Sequence, residues 1–305
     1  MKDGRNDRNL AGICILAAGS LWGTTGIFSH YFDYYGMDSM MKGLFRVSAA
    51  AIAMMVVMML RGKKSFVMTK RGYGIALIQG LLTQSLFSWC YFTAIERLGM
   101  ASSVVLLYTS PVFAAIISRI IYKEKITRKK MAAMAITVAG CAMTATGGHF
   151  HFAGSGTMGY GILMGVMAGF CYSTLSITST YGTRHDDPMA LTFYTFVFGV
   201  AGLFFMARPW EKTVAGPDWK LVVIALLSGI VSAAIPYFAY GYGSRYLKNP
   251  SLGPVYSSVE NVAAALYGLI LFHEGLNGVK VLGICLIILS IVIINYSPVE
   301  PGRVK

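Results

Sequence analysis

The chain has 305 residues, of which 55% are hydrophobic and 13% charged, with a mean hydropathy of +0.60 and a formal net charge of +13. Soluble domains carry about 25% charged residues, so this composition excludes an ordinary soluble enzyme or binding module. The positive balance invites a nucleic-acid reading, but the basic residues lie in short segments between apolar runs rather than on one surface.

Ten apolar runs follow one another, at 10–28, 39–60, 73–95, 101–122, 130–147, 156–180, 188–207, 219–242, 252–271 and 278–296. A hydrocarbon core of ~30 Å needs about 20 residues of helix, and these runs fit that length. The longest pieces between them, around 61–72 and 207–218, are too short to fold alone. An all-α integral membrane protein with ten transmembrane helices is therefore expected. The first run follows a basic start and could pass for a signal peptide, but its length and the nine runs after it argue against cleavage.

Taken in chain order, the first run carries Gly19-x-x-x-Gly23 and Trp22, and the second carries Arg46. That arginine can pair with an acidic group or a substrate carboxylate. Snorkelling to the nearer interface or a structural pair is the simpler reading. The third run holds Gln79, Gln84, Trp89 and Tyr91. Two glutamines five residues apart are about 140° apart around a helix, so they cannot both face one narrow stripe. The fourth holds Ser102, Ser103, Tyr108, Thr109 and Ser110 and ends at Glu124. The sixth repeats the glycine spacing at Gly165-x-x-x-Gly169, a smooth face for close helix approach.

Tyr237 and Tyr240 lie in the eighth run, and Tyr256 and Glu260 in the ninth, which closes at Glu274. Glu260 is about eight residues into its run, roughly 12 Å deep at 1.5 Å per residue. An ionisable group at that depth is costly and normally faces a cavity or a partner. It is a candidate proton-coupling site or counter-charge to a substrate amine; the alternative is a carboxyl that only ties helices together. Glu124 and Glu274 read most simply as solvated helix ends, with a gating role as the alternative.

Placing the N-terminus in the cytoplasm puts eighteen Lys and Arg on the inner side and five on the outer, which predicts both termini cytoplasmic. The five cysteines all lie in apolar runs and read as small buried hydrophobes, with no disulfide framework. No phosphate-binding loop, nucleophile elbow or paired-histidine zinc motif is present, so no enzyme, metal or cofactor is expected.

The chain repeats itself. Gly19-x-x-x-Gly23 and Tyr91–Phe92 recur 146 residues later at Gly165-x-x-x-Gly169 and Tyr237–Phe238, and Lys123–Glu124 recurs 150 later at His273–Glu274. An insertion near 243–250 would explain the change of offset. The expected halves are 1–150 and 151–305, five spans each, within one membrane domain. An odd number of spans inverts the second half, the plan of many secondary transporters.

This plan resembles the EamA-type members of the drug/metabolite transporter superfamily over nearly the whole chain. The resemblance is carried by Leu21–Trp22–Gly23–Thr24, Arg46, Ala101–Ser102, Ser110–Pro111–Val112–Phe113–Ala114 and Glu124. Pro250–Ser251, Val259–Glu260–Asn261–Val262–Ala263–Ala264, Glu274 and Gly283 carry it in the second half. One departure is Asn261, where the family pattern usually has a proline after the glutamate; Pro254 offers the bend instead.

The resemblance implies that spans one, three, four, eight and nine line a central pathway, which makes Trp22, Gln79, Trp89, Tyr91, Tyr108, Tyr237, Tyr240 and Tyr256 the candidate substrate-binding residues. Aromatic walls suit planar solutes or cations held by ring faces. It further implies an exporter of a small organic solute, such as an amino acid, metabolite or lipophilic amine, in the inner membrane. Alternating access would be driven by a proton gradient or by solute exchange, with Glu260 and Arg46 as coupling residues. The partners are the small-molecule substrate and the lipid bilayer, with no nucleic acid; oligomeric state stays open. A membrane-embedded lipid-modifying enzyme and a non-transporting scaffold are the alternatives from other classes.

Overall fold

The computed structural model describes residues 2–148, 158–214, 216 and 218–295. Among these residues the structure is all helical, with no strand. The long helices are α1 Asn9–Asp33, α2 Ser39–Arg61, α3 Lys70–Leu98, α4 Met100–Ile121 and α5 Arg128–Thr146. They continue as α6 Met158–His185, α7 Pro188–Ala207, α8 Trp219–Tyr246, α9 Pro250–Phe272 and α10 Gly278–Asn295. Nine of the helices described are long and apolar enough to cross a bilayer, against the ten expected. The other is α5, 19 residues long, whose first turn is Arg128–Lys129–Lys130 and whose length is mostly alanine, methionine and threonine. It packs along the strongly apolar α10.

The two halves complete each other as inverted repeats. Helix α1 lies against α8 and α9, and its counterpart α6 lies against α3 and α4. The glycine motifs make both crossings. A Cβ on Gly19 or Gly23 would meet the Ser257 carbonyl at 2.9 Å or the Glu260 carbonyl at 3.1 Å, and one on Gly169 the Leu106 carbonyl at 3.0 Å. The expected insertion near 243–250 is corrected. Spans two and seven open at 39 and 188, three and eight at 70 and 219, a constant 149 apart. The offset therefore changes from 146 before the seventh span, and Tyr91 corresponds to Tyr240. The boundary expected at 150–151 lies outside the described residues.

Three helices are broken in mid-span, and a back-bonded hydroxyl sits at each break. Thr24, Thr109 and Ser258 turn their hydroxyls back onto the carbonyls three residues earlier, at 2.6, 2.7 and 2.6 Å. Such back-bonding competes with the helical ladder and bends it. Thr109 and Ser258 occupy equivalent positions in α4 and α9, so α9 breaks without a proline at 261. Helices α3 and α8 widen instead into π-helical segments at Gly80–Leu86 and Ile230–Ala234, again equivalent. π-Bulges concentrate at functional sites, and these two flank the bundle centre.

Matching turns close the ends. Asp38 caps α2 by accepting from Met41 N at 2.9 Å and pairs with Lys212 at 2.5 Å. Asp187, 149 positions on, caps α7 by accepting from Met189 N at 2.8 Å and pairs with Arg61 at 3.4 Å. Burial works to raise the Asp38 pKa, but Lys212 and the helix N–H groups outweigh it and hold the carboxyl below its usual range. The Leu221 N–H and the Tyr35 hydroxyl likewise hold Asp218 low. Cysteines 90, 141 and 171 are buried as expected and Cys14 is half-buried; Cys285 departs from the expectation by facing outward from α10.

Candidate functional site

The breaks and bulges converge on a cluster of rings. Trp22, one residue before the α1 break, has Tyr237 at 5.1 Å, Tyr240 at 5.4 Å and Tyr172 at 6.5 Å between ring centroids. Phe87 stacks on Tyr91 at 5.5 Å and tilts against Tyr172 at 5.9 Å; Phe196 meets Tyr237 at 5.3 Å. The Trp22 indole N–H is buried without a hydrogen-bond partner among the described residues.

Glu260 enters this cluster from α9. It sits in the first turn of the helix that restarts at Val259, where unpaired N–H groups and the helix dipole favour a negative charge. The Tyr172 hydroxyl lies 3.4 Å from Glu260 Oε2 and 3.2 Å from Ser257 Oγ, so one donor serves two acceptors. Tyr91, Tyr108, Tyr237 and Arg46 lie near enough for their charges and dipoles to act on the carboxyl. No Lys, Arg or His among the described residues approaches it within 4.0 Å.

Arg46 is held nearby by a backbone defect. Pro236 has no N–H, so it cannot donate to the Ser232 carbonyl four residues back. Arg46 Nη1 donates to that carbonyl at 3.1 Å. The arginine thus ties α2 to the π segment of α8 rather than reaching for the interface. Four of its five N–H donors have no hydrogen bond among the described residues.

The other expected residues divide. Tyr91, Tyr237 and Tyr240 share the ring cluster with Trp22, and Tyr108 is buried beside the α4 break. Tyr256 is buried and donates to Asn295 Oδ1 at 3.0 Å, which joins α9 to α10. Gln79 is buried and donates to Ser179 on α6 at 3.1 Å, leaving its carbonyl oxygen without a partner among the described residues. Gln84 turns to the other side, toward Gly199 and Tyr237. Trp89 stands outside the cluster, 41% exposed. Sequence reasoning missed Tyr172, Phe87 and Phe196. For Tyr172 a signal existed: it is one turn beyond Gly169, on the face the glycine motif turns to the bundle. Among the described residues no three His, Cys, Asp or Glu gather as a metal site.

The EamA-like transporter family profile matches residues 9–146 and again 159–296, one copy on each half. The chain belongs to the EamA-like transporter family. It is 25% identical to an uncharacterized transporter of Archaeoglobus fulgidus, over 67% of this chain and 70% of that one. Identity to the uncharacterized transporter YyaM of Bacillus subtilis is 20%, over 55% and 54% of the two chains. A solved crystal structure shares the fold with a TM-score of 0.78 at 15% identity, over 93% of this chain and 96% of that one. This EamA-like protein is thus a multi-pass membrane transporter of the drug/metabolite transporter type.

The two ends of the transporter's α4–α9 pair differ. Glu124 and Glu274 follow equivalent left-handed residues, Lys123 (φ 52°) and His273 (φ 53°). Each donates its N–H to the carbonyl six residues back, at 3.3 and 3.1 Å, so both helices end in the same left-handed closure. Glu274 is exposed, as expected of a solvated end. Glu124 departs from that expectation: it is 8% exposed, pairs with Lys130 at 2.7 Å and accepts from the Ser251 hydroxyl and, at 3.4 Å, the Ser251 N–H. One end of α4 is clasped to the start of α9.

Proposed function

We propose that this EamA-like transporter exports a small organic solute bearing an amine, an amino acid, related metabolite or lipophilic amine, across the inner membrane. The observation that carries the reading is Glu260, a carboxyl at mid-span with a tyrosine hydroxyl at 3.4 Å and no cation within 4.0 Å among the described residues. Aromatic faces beside a carboxyl suit a cationic amine, and Arg46 adds donors for a solute carboxylate. Trp22, Tyr91, Tyr237 and Tyr240 form the walls, joined by Tyr172 and Phe87. Proton-driven exchange, with Glu260 as the site shared by proton and solute, is the coupling we favour, and the basic bias of one face supports cytoplasmic termini.

The unequal α4–α9 ends support alternating access, with the Glu124 end closed and the Glu274 end open. Removing the Glu124 carboxylate leaves Lys130 and Ser251 short of an acceptor, a loss of about 1–3 kcal/mol, or roughly five- to hundredfold in the population of the closed state. In Glu124→Ala, spin labels at Lys125→Cys and Lys248→Cys, on a background without native cysteines, should move apart. An unchanged distance distribution in that variant and in Ser251→Ala removes the clasp.

The substrate reading is tested by thermal shift of the purified protein against amino acids, polyamines, quaternary amines and nucleosides. A dose-dependent rise with amine-bearing solutes, followed by counterflow of the same solute in proteoliposomes, is the expected result. A rise confined to nucleosides or to neutral solutes overturns it.

A further inference from the structure

A polar cleft of about 410 Å³ lies away from the ring cluster, at one end of the bundle. Its walls are Arg61 at the end of α2, His185 and Asp187 at the α6–α7 turn, and Phe238, Tyr242 and Arg245 on α8. The carboxylates on this wall are already engaged. Asp186 accepts from Thr69 N at 2.7 Å and Thr69 Oγ1 at 2.9 Å, and Asp187 from Met189 N and Arg61. Of the cations, Arg61 is held only weakly and Arg245 not at all. Arg61 has one long bond to Asp187, at 3.4 Å, and one to the weak acceptor Met189 Sδ, while Arg245 makes no hydrogen bond or ion pair among the described residues.

The equivalent place in the other half gives the comparison. There a cleft of about 160 Å³ is lined by Asp38 and Lys212, which pair at 2.5 Å, so that its one lysine among the described lining residues is already engaged. The 149-residue offset puts Glu96 where Arg245 stands, so only this cleft carries a guanidinium at that position. Two guanidinium groups with open donors match the oxygens of a phosphate, which arginine binds through paired N–H groups. Phe238 and Tyr242, with ring centroids 6.2 Å apart, add an apolar flank, and the residues lie at span ends, where lipid headgroups sit.

We propose that Arg61, Arg245 and His185 form a binding site for an organic phosphate, separate from the transport pathway. The phosphate belongs either to an anionic phospholipid of the adjoining leaflet or to a soluble phosphate ester. Native mass spectrometry of the full-length protein, titrated with phosphatidylglycerol and phosphatidylcholine, reads the first source. Thermal shift with glycerol 3-phosphate reads the second. Preferred binding of phosphatidylglycerol, weakened about tenfold by Arg245→Gln, is expected for the lipid. A glycerol 3-phosphate shift lost in the same variant assigns the site to a soluble ester. Arg245→Lys, which keeps the charge but not the paired donors, should lie between, and it serves if the glutamine variant does not fold. Equal binding of both lipids with no glycerol 3-phosphate shift overturns the proposal, as does either signal surviving unchanged in the Arg245 variants.

Discussion

Glu260→Gln abolishes gradient-driven solute flux in proteoliposomes while leaving the protein folded. Glutamine keeps the size of the side chain and still offers an oxygen to the Tyr172 hydroxyl, and no ion pair is broken, because none within 4.0 Å exists among the described residues. What is lost is the charge and the ability to carry a proton. A charge-assisted contact is worth about 1.5–3 kcal/mol, so affinity for an amine solute should fall roughly ten- to hundredfold. Flux driven by a pH gradient should fall to the level of protein-free vesicles. Counterflow, which needs no proton, separates the two roles: its survival at high solute concentration assigns Glu260 to coupling, its loss at every concentration to solute binding. Gradient-driven flux at the wild-type rate would sink both.

Much of the architecture is legible in the sequence because lipid constrains it so tightly. Apolar runs of about 20 residues and the basic bias of alternate loops lead to spans and repeats directly. The α5 helix shows the limit of that signal: Lys129, Lys130 and a string of small residues make it less apolar than its neighbours, although it packs along α10 like a span. Residues that act through helix defects are harder to read. For Arg46 the sequence leaves snorkelling and a structural tie open, and the tie exists because Pro236 leaves the Ser232 carbonyl to it. The break of α9 falls at Ser258, four residues after Pro254, where the hydroxyl bonds back to the Val255 carbonyl. Trp89 shows the converse, since an aromatic in the right span can still face away; α3 is wound through a π segment that shifts the phase of everything after Leu86. Periodicity counted at 3.6 residues per turn cannot foresee that shift.

The same dependence on backbone approach predicts the largest loss of stability. Gly283→Val should lower the melting temperature in detergent by about 5 °C or more, from an overpacking cost of roughly 1–3 kcal/mol. At this crossing of α5 and α10 the helices touch through their main chains. A Cβ on Gly283 would meet the Gly140 carbonyl and the Thr144 N, both at 2.7 Å, and a Cβ on Gly140 would meet the Gly283 carbonyl at 2.9 Å. Neither obstacle is a side chain that can turn aside, so the helices must separate. Separation also breaks the Thr137–Ser290 hydroxyl bond at 2.8 Å and the Asn277–Gly147 bond at 2.7 Å, which hold the pair together on either side of the glycines. Because Tyr256 ties α9 to Asn295 on α10, the shift should reach the ring cluster and weaken solute binding as well. Gly26→Ala is the control: nothing lies within 4 Å of its would-be Cβ, and a helical alanine gains about 0.5–1 kcal/mol over glycine. A Gly283→Val protein that melts with the wild type, alongside a Gly26→Ala protein that does the same, would mean that the α5–α10 contact yields without cost.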